Sequence, residues 1–185
     1  WFSPPGGTAV KGWFGKEVVL DLTVNPGAGT SPVMKTTYDY FNDTTPGWYD
    51  TRKLWRLDAD PSAAAAGQLT WSDYTGYPEI RVTSGANSSG RPPSLTQYLF
   101  FRGLNADSGT NPGSNVVDTK GVARIDARWL RGRTREIRSF GTAFTAAGEV
   151  TATITDYFVA TPAGITPGAI NYVRPSFVDT YIAGT

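Results

Sequence analysis

Hydrophobic and polar residues alternate with a period of two along most of the chain. The alternating runs are rich in β-branched and aromatic residues, and Gly, Pro, Asn and Asp interrupt them every ten to twenty residues. This pattern is typical of strands joined by turns. Lys120 and Gly121 are expected to divide one long run into two short strands. The predicted strands span residues 17–24, 33–41, 51–59, 68–74, 79–85, 95–104, 115–130, 135–146, 149–160 and 169–182.

No segment carries the apolar stripe of an amphipathic helix. The best helical candidate is "DPSAAAAGQL", residues 60–69, and Gly67 would end it after about one turn. The fold class is therefore predicted to be all-β, as an antiparallel sandwich of eight to ten strands. Several of the connections are long, which favours a jelly roll over a simple meander.

The chain of 185 residues has the length of one domain, and neither a linker nor a repeat divides it. We predict a single β-sandwich domain over 1–185, with 1–16 as an N-terminal arm and 171–185 as a C-terminal strand or arm. No run of 18 apolar residues is present, so no membrane-spanning helix is expected.

The absence of histidine and cysteine limits the chemistry that the chain can perform. Without them there is no Ser-His-Asp or Cys-His mechanism and no zinc-thiolate site. Carboxylate chemistry remains, with Asp73 and Glu79 as an example of a pair, but nothing in the sequence fixes the separation of such groups. The chain is not expected to be an enzyme or to carry a cofactor. The one alternative to the absence of a cofactor is Ca²⁺ bound between subunits, for which Asp58 and Asp60 would supply oxygen ligands.

The segment "RIDARWLRGRTREIR", residues 124–138, carries six arginines and two acids, whereas the formal net charge of the whole chain is only +1. Strand alternation predicts that Ile125, Ala127 and Trp129 are buried, with charged residues on the outer face. A turn is expected at Gly132, from which Arg133 and Arg135 would project into solvent or a partner. Arginine pairs well with phosphates and with carboxylates. Three interpretations stay open: phosphates of a nucleic acid, acids of a neighbouring subunit, or a solvated edge protected by charge. The arginines are Arg124, Arg128, Arg131, Arg133, Arg135 and Arg138.

The C-terminal stretch "NYVRPSFVDTYI" resembles the end of bromovirus coat proteins, which reads Val-Arg-Pro-Thr-Phe-Asp-Asp. Here Ser176 takes the place of Thr, and Val178 departs from the family pattern. The resemblance implies a jelly-roll subunit whose C-terminal arm clamps a neighbour. Pro175 fits this role because it pre-extends the segment, although an ordinary last strand with a bend fits as well. The predicted subunit-interface residues are Val173, Arg174, Pro175, Phe177, Asp179 and Tyr181.

Tryptophan and tyrosine are concentrated in the first half of the chain. Trp48, Trp55 and Trp71 are candidates for stacking on sugar rings. The same residue types also fill β-sandwich cores and protein interfaces.

The function predicted from these features is that of a viral coat protein. It would assemble with copies of itself into an icosahedral shell, enclose the nucleic acid of an RNA virus through nonspecific phosphate contacts, and reside in the virion. No membrane partner is expected. The alternative is a glycan-binding β-sandwich module, either secreted or part of a viral or phage spike or fibre.

Overall fold

The structure is a computed structural model that describes residues 16–27, 33–42, 45–46, 55–57, 71–85, 92–105, 115–160 and 172–182. In these ranges there is no α-helix, and every paired strand is antiparallel to its neighbour. The strands are β1 (Asp21–Val24), β2 (Met34–Asn42), β3 (Thr45–Pro46), β4 (Trp55–Leu57), β5 (Trp71–Tyr74), β6 (Glu79–Ser84), β7 (Ser94–Phe100), β8 (Asn115–Val117), β9 (Ala123–Ile125), β10 (Thr134–Phe140), β11 (Glu149–Ala160) and β12 (Tyr172–Ile182).

One large sheet dominates the molecule. Its strands follow the order β1-β2-β6-β7-β10-β11-β12, with β3 beside β2, and two short ribbons, β4–β5 and β8–β9, stand apart from it. Short 3-10 turns at Arg128–Leu130 and Ala146–Gly148 complete the described elements.

The all-β, antiparallel prediction is confirmed, including the turn at Gly121 between two short strands. The strand order differs from the Greek-key order expected of a jelly roll, because the large sheet is a meander in the part of the chain that is described. Two of the connections contain ribbons, β4–β5 between β3 and β6 and β8–β9 between β7 and β10, and after each of them the chain returns to the same sheet. The candidate helix at 60–69, and the N-terminal arm at 1–16 apart from Lys16, lie outside the described residues.

Strand register divides the large sheet into two faces. One face, here called the charged face, aligns Arg81, Gln97 and Arg138 across β6, β7 and β10. The opposite face, here called the threonine face, aligns Ile137 with Thr153 and Thr180 across β10, β11 and β12.

A small apolar core lies at one end of the sheet. The buried residues Phe101, Val116, Ala127 and Leu130 form it, and Tyr157 and other half-buried side chains pack against them. The ring of Tyr157 meets Phe101 edge-to-face, with 6.0 Å between centroids. The ribbon β8–β9 and the 3-10 turn at 128–130 thereby form a second layer over this end of the sheet.

A buried carboxylate anchors the chain that follows β7. Asp126, only 1% exposed, accepts hydrogen bonds from the backbone N–H groups of Arg102, Gly103 and Leu104 at 2.7, 2.7 and 3.2 Å. Gly103 has a φ of +73°, which an L side chain rarely adopts. Asp126 therefore ties the residues after β9 to the end of β7.

A β-bulge on β10 places two consecutive charged residues on the buried side. The register shifts between Thr134 and Glu136, so one extra residue, Arg135, stands opposite the partner strand. Arg135 and Glu136 are 1% and 2% exposed. Strict alternation would have turned one of them outward.

Candidate functional site

Three of the six arginines of segment 124–138 form a group with carboxylate partners among the described residues, here called the paired group. Arg135 belongs to the paired group: its guanidinium donates to Asp118 and Asp156, and to the carbonyl of Thr155 at 2.9 Å. Asp118 is as deeply buried as Arg135, and it also accepts the N–H of Val122 at 2.9 Å. The expectation that Arg135 projects into solvent or a partner was wrong, because the bulge on β10 turns it inward.

Arg124 completes this network at the surface. Its guanidinium donates to both carboxylate oxygens of Asp156, at 2.9 and 2.8 Å. These hydrogen bonds, together with the charges of Arg135 and Arg124, lower the pKa of Asp156 below its ordinary value, against the opposing effect of burial. The network therefore needs Asp156 in its ionised form.

Arg138 is also paired within the chain. It donates to Glu149 at 2.7 Å from Nε, and to Gln97 at 3.2 Å. Its guanidinium lies 5.0 Å from the centre of the Phe140 ring. Arg124, Arg135 and Arg138 thus have carboxylate partners among the described residues and make up the paired group.

The other three arginines are exposed around the turn at Gly132. They are Arg128, Arg131 and Arg133. Within the described residues, neither Arg128 nor Arg133 forms an ion pair with a carboxylate. The two acids of the segment, Asp126 and Glu136, are buried and held by hydrogen bonds. The surface of the segment is consequently positive.

Beside this turn lies an open groove of about 530 Å³. Phe101, Ala127 and Leu130 of the core contribute to its lining, and Trp129, 44% exposed, also lines it. The ion pair of Arg124 and Asp156 lies in the same groove. The groove combines aromatic, apolar and charged surfaces, and Trp129 and Leu130 in its lining belong to the same 3-10 turn as the exposed Arg128.

The predicted burial of the segment by alternation was correct for Ala127 only. Ile125 is 60% exposed and Trp129 is 44% exposed, whereas Asp126 is buried. The reason is that β9 ends at Ile125 and a 3-10 turn replaces the expected strand continuation. The sequence signal for the exposure of Trp129 was its place two residues before the turn "RGR".

The C-terminal segment forms β12, the last strand of the sheet, and pairs with β11 over its whole length. It is also tied to the β8–β9 ribbon. Asp179 accepts a hydrogen bond from Lys120 at 2.5 Å, and the hydroxyls of Tyr181 and Thr119 lie 2.8 Å apart. Lys120 lies 4.4 Å from the centre of the Tyr181 ring, and burial raises the pKa of Tyr181.

The remaining predicted interface residues occupy the same strand. Val173 packs against the apolar core, and Arg174 lies 5.5 Å from the centre of the Phe158 ring. Pro175 pairs with Tyr157 next to a register shift, a position that suits a residue without a backbone N–H. Phe177 is 59% exposed. Contact of these residues with another subunit stays a prediction.

Both outer strands of the sheet expose apolar side chains. In β12 these are Phe177, Val178 and Ile182, at 59%, 55% and 61% exposure. In β1, at the opposite edge, Leu22 and Val24 are 51% and 52% exposed. Each of these strands has a partner on one side only in the part of the chain that is described.

The candidate glycan residues are described only in part. Trp48 lies outside the described residues. Trp55 pairs with Tyr74, and Trp71 with Leu57, across the β4–β5 ribbon. The structure thus brings the Trp55 and Trp71 positions into one ribbon, and glycan binding stays a prediction.

No described residues form a group of three or more His, Cys, Asp or Glu side chains that could hold a metal, and Asp58 and Asp60 are not among those residues. The described part also contains no helix long and apolar enough to cross a membrane.

Comparison with family models gives no match, and neither curated proteins nor solved structures give a significant match.

Proposed function

We propose that this chain is a structural coat protein that assembles with copies of itself into a closed shell around a nucleic acid. The observation that carries the proposal is the exposure of apolar side chains on both outer strands of the large sheet. Phe177, Val178 and Ile182 on β12 are each more than half exposed. Exposed sheet edges are sites where another chain can add, and soluble proteins usually protect them with charge or short strands.

The length of β12 supports this reasoning. The strand spans eleven residues, whereas protected edge strands are typically short. Leu22 and Val24 on β1 give the opposite edge a similar apolar character. A subunit with two apolar edges can contact two neighbours at once, and many modest contacts of this kind add up in a symmetric assembly.

The test is a pair of identical substitutions on the threonine face. Val178→Lys places a charge on the edge strand, and Ile137→Lys places the same charge on the central strand β10, where both neighbours are already present. We expect the parent and the Ile137→Lys variant to form large symmetric particles, and the Val178→Lys variant to be monomeric. Sedimentation velocity and negative-stain microscopy distinguish these states. A parent protein that stays monomeric across salt and pH would refute the proposal.

A further inference from the structure

The turn that follows β9 has a surface charge that its sequence conceals. Segment 124–138 contains two acids, yet Asp126 and Glu136 are 1% and 2% exposed. Asp126 is engaged by backbone N–H groups of the chain after β7, and Glu136 accepts the N–H of Thr119 at 3.1 Å. Neither carboxylate reaches the surface where Arg128 and Arg133 are exposed.

An exposed aromatic side chain lies within this positive surface. Trp129 directly follows Arg128, precedes the turn at Gly132 by three residues, and is 44% exposed. Its neighbours in the lining of the groove include Ile125, Tyr157 and Ser176. A volume of about 530 Å³ is within the range of about 300–1,000 Å³ that is usual for sites of small organic groups.

Arginine and an exposed aromatic ring together match the two parts of a single-stranded nucleotide. The guanidinium fork donates two parallel hydrogen bonds to a phosphate, and a base stacks on an aromatic face with little dependence on its identity. A double helix offers no free base faces for stacking on Trp129. A concave groove also fits a flat membrane surface poorly, and this argues against an anionic bilayer as the ligand.

We propose that the groove beside Trp129 binds single-stranded nucleic acid, with Trp129 stacking on a base and Arg128 and Arg133 neutralising the flanking phosphates. This inference rests on the proposed function for the identity of the ligand, the nucleic acid that the shell encloses. It adds a defined site and a preference for unpaired strands to what a nonspecific basic surface would provide.

The experiment is a fluorescence-anisotropy titration of the full chain with dye-labelled oligo(U) and oligo(dT) of about twelve nucleotides, a length within the usual site sizes. Two variants remove two positive charges each. Arg128→Ala/Arg133→Ala removes them from the turn, and the control Lys16→Ala/Lys35→Ala removes them from residues that are distant in sequence from segment 124–138. Since each phosphate contact on a single strand contributes about 0.7 to the salt slope of log K, we expect the arginine variant to lose about 1.4 of that slope. The lysine control should keep the parent slope.

Trp129 is tested separately because stacking depends little on salt. We expect Trp129→Ala to bind about tenfold or more weaker at every salt concentration, with an unchanged slope. Trp129→Phe keeps an aromatic face and should recover most of the affinity. Its exposure makes either substitution compatible with folding, which circular dichroism would verify.

Three results would overturn the inference. One is a loss of slope in the lysine control as large as in the arginine variant, and another is parent-like affinity of Trp129→Ala. The third is binding to phosphatidylserine vesicles with no binding to either oligonucleotide, which would make the surface a membrane site. Light scattering on the same samples without oligonucleotide reports assembly. If the protein forms shells but Trp129→Ala binds oligonucleotide as tightly as the parent does, this inference alone is refuted. If the protein stays monomeric but its oligonucleotide binding depends on Trp129, the proposed function alone is refuted.

Discussion

The substitution of Arg135 tests the buried ion pairs that join β10 to β11 and to the residue after β8. The side chains of Arg135 and Asp118 are each 1% exposed and form an ion pair. The substitution Arg135→Met keeps an unbranched, flexible chain of similar length but removes the charge. Asp118 would then be left buried with the N–H of Val122 as a remaining partner.

Removing one partner of a buried ion pair costs about 3–5 kcal/mol, since the other charge stays in a poorly solvated site. This is a large fraction of the total stability of a domain, which is about 5–15 kcal/mol. The control is Arg124→Met, because Arg124 pairs with Asp156 but its side chain is 46% exposed. A surface pair of this kind contributes about 0–1 kcal/mol.

The assay is equilibrium unfolding in urea, followed by tryptophan fluorescence of the chain's six tryptophans. All variants are measured at one protein concentration, because assembly makes apparent stability depend on concentration. The double variant Asp118→Leu/Arg135→Met removes both charges and should recover much of the loss. Arg124→Met is expected to lower the free energy of unfolding by at most about 1 kcal/mol. If Arg135→Met lowers it by no more than that, the buried network is refuted.

Two further predictions concern the same end of the sheet. Gly103 and Gly132 both have positive φ, but a Cβ at Gly103 would lie 3.0 Å from the backbone of Arg128, whereas at Gly132 it would meet nothing within 4 Å. Gly132→Ala should therefore lower the free energy of unfolding by about 1–2 kcal/mol, for its backbone conformation alone, and Gly103→Ala should lower it distinctly more. Thermal unfolding measures both losses, and equal losses would contradict the close approach of Gly103 to Arg128. The pKa of Asp156 is lowered in the folded protein. Its ionised carboxylate therefore stabilises the fold above the unfolded pKa of about 3.9, and this contribution is lost as the pH falls through the lower folded pKa. Asp156→Asn should flatten the acid limb of a stability–pH profile, and an unaltered limb would contradict the ion pair with Arg124.

Much of the secondary structure follows from local pattern. Alternating runs bounded by Gly, Pro, Asn and Asp predicted the strands of the large sheet, and Gly121 and Gly132 marked turns that the structure contains. These features depend on neighbours in sequence, such as the freedom of glycine to adopt positive φ. The edge position of the strand that contains Pro175 also follows, because proline offers no N–H to a further strand.

The candidate site was predictable only as a region of charge. Alternation assigned Trp129 to the interior, and the turn predicted at Gly132 placed Arg135 at the surface; both assignments were wrong. A bulge on β10 and a 3-10 turn after β9 reverse them. Each is a shift of one residue or a few, which a period of two cannot reveal.

Residue types and short-range pattern are sufficient to predict an antiparallel β structure with one arginine-rich segment and without histidine or cysteine chemistry. The pairing of arginines with carboxylates inside the subunit depends instead on contacts between residues that are distant in sequence. Asp118 lies just after β8, 17 residues from Arg135 in sequence, and Asp156 lies on β11, 21 residues from it. Such pairings depend on strand order and register, which are set by packing of the whole chain. Arg128 and Arg133, before and after Trp129 in the sequence, stay exposed.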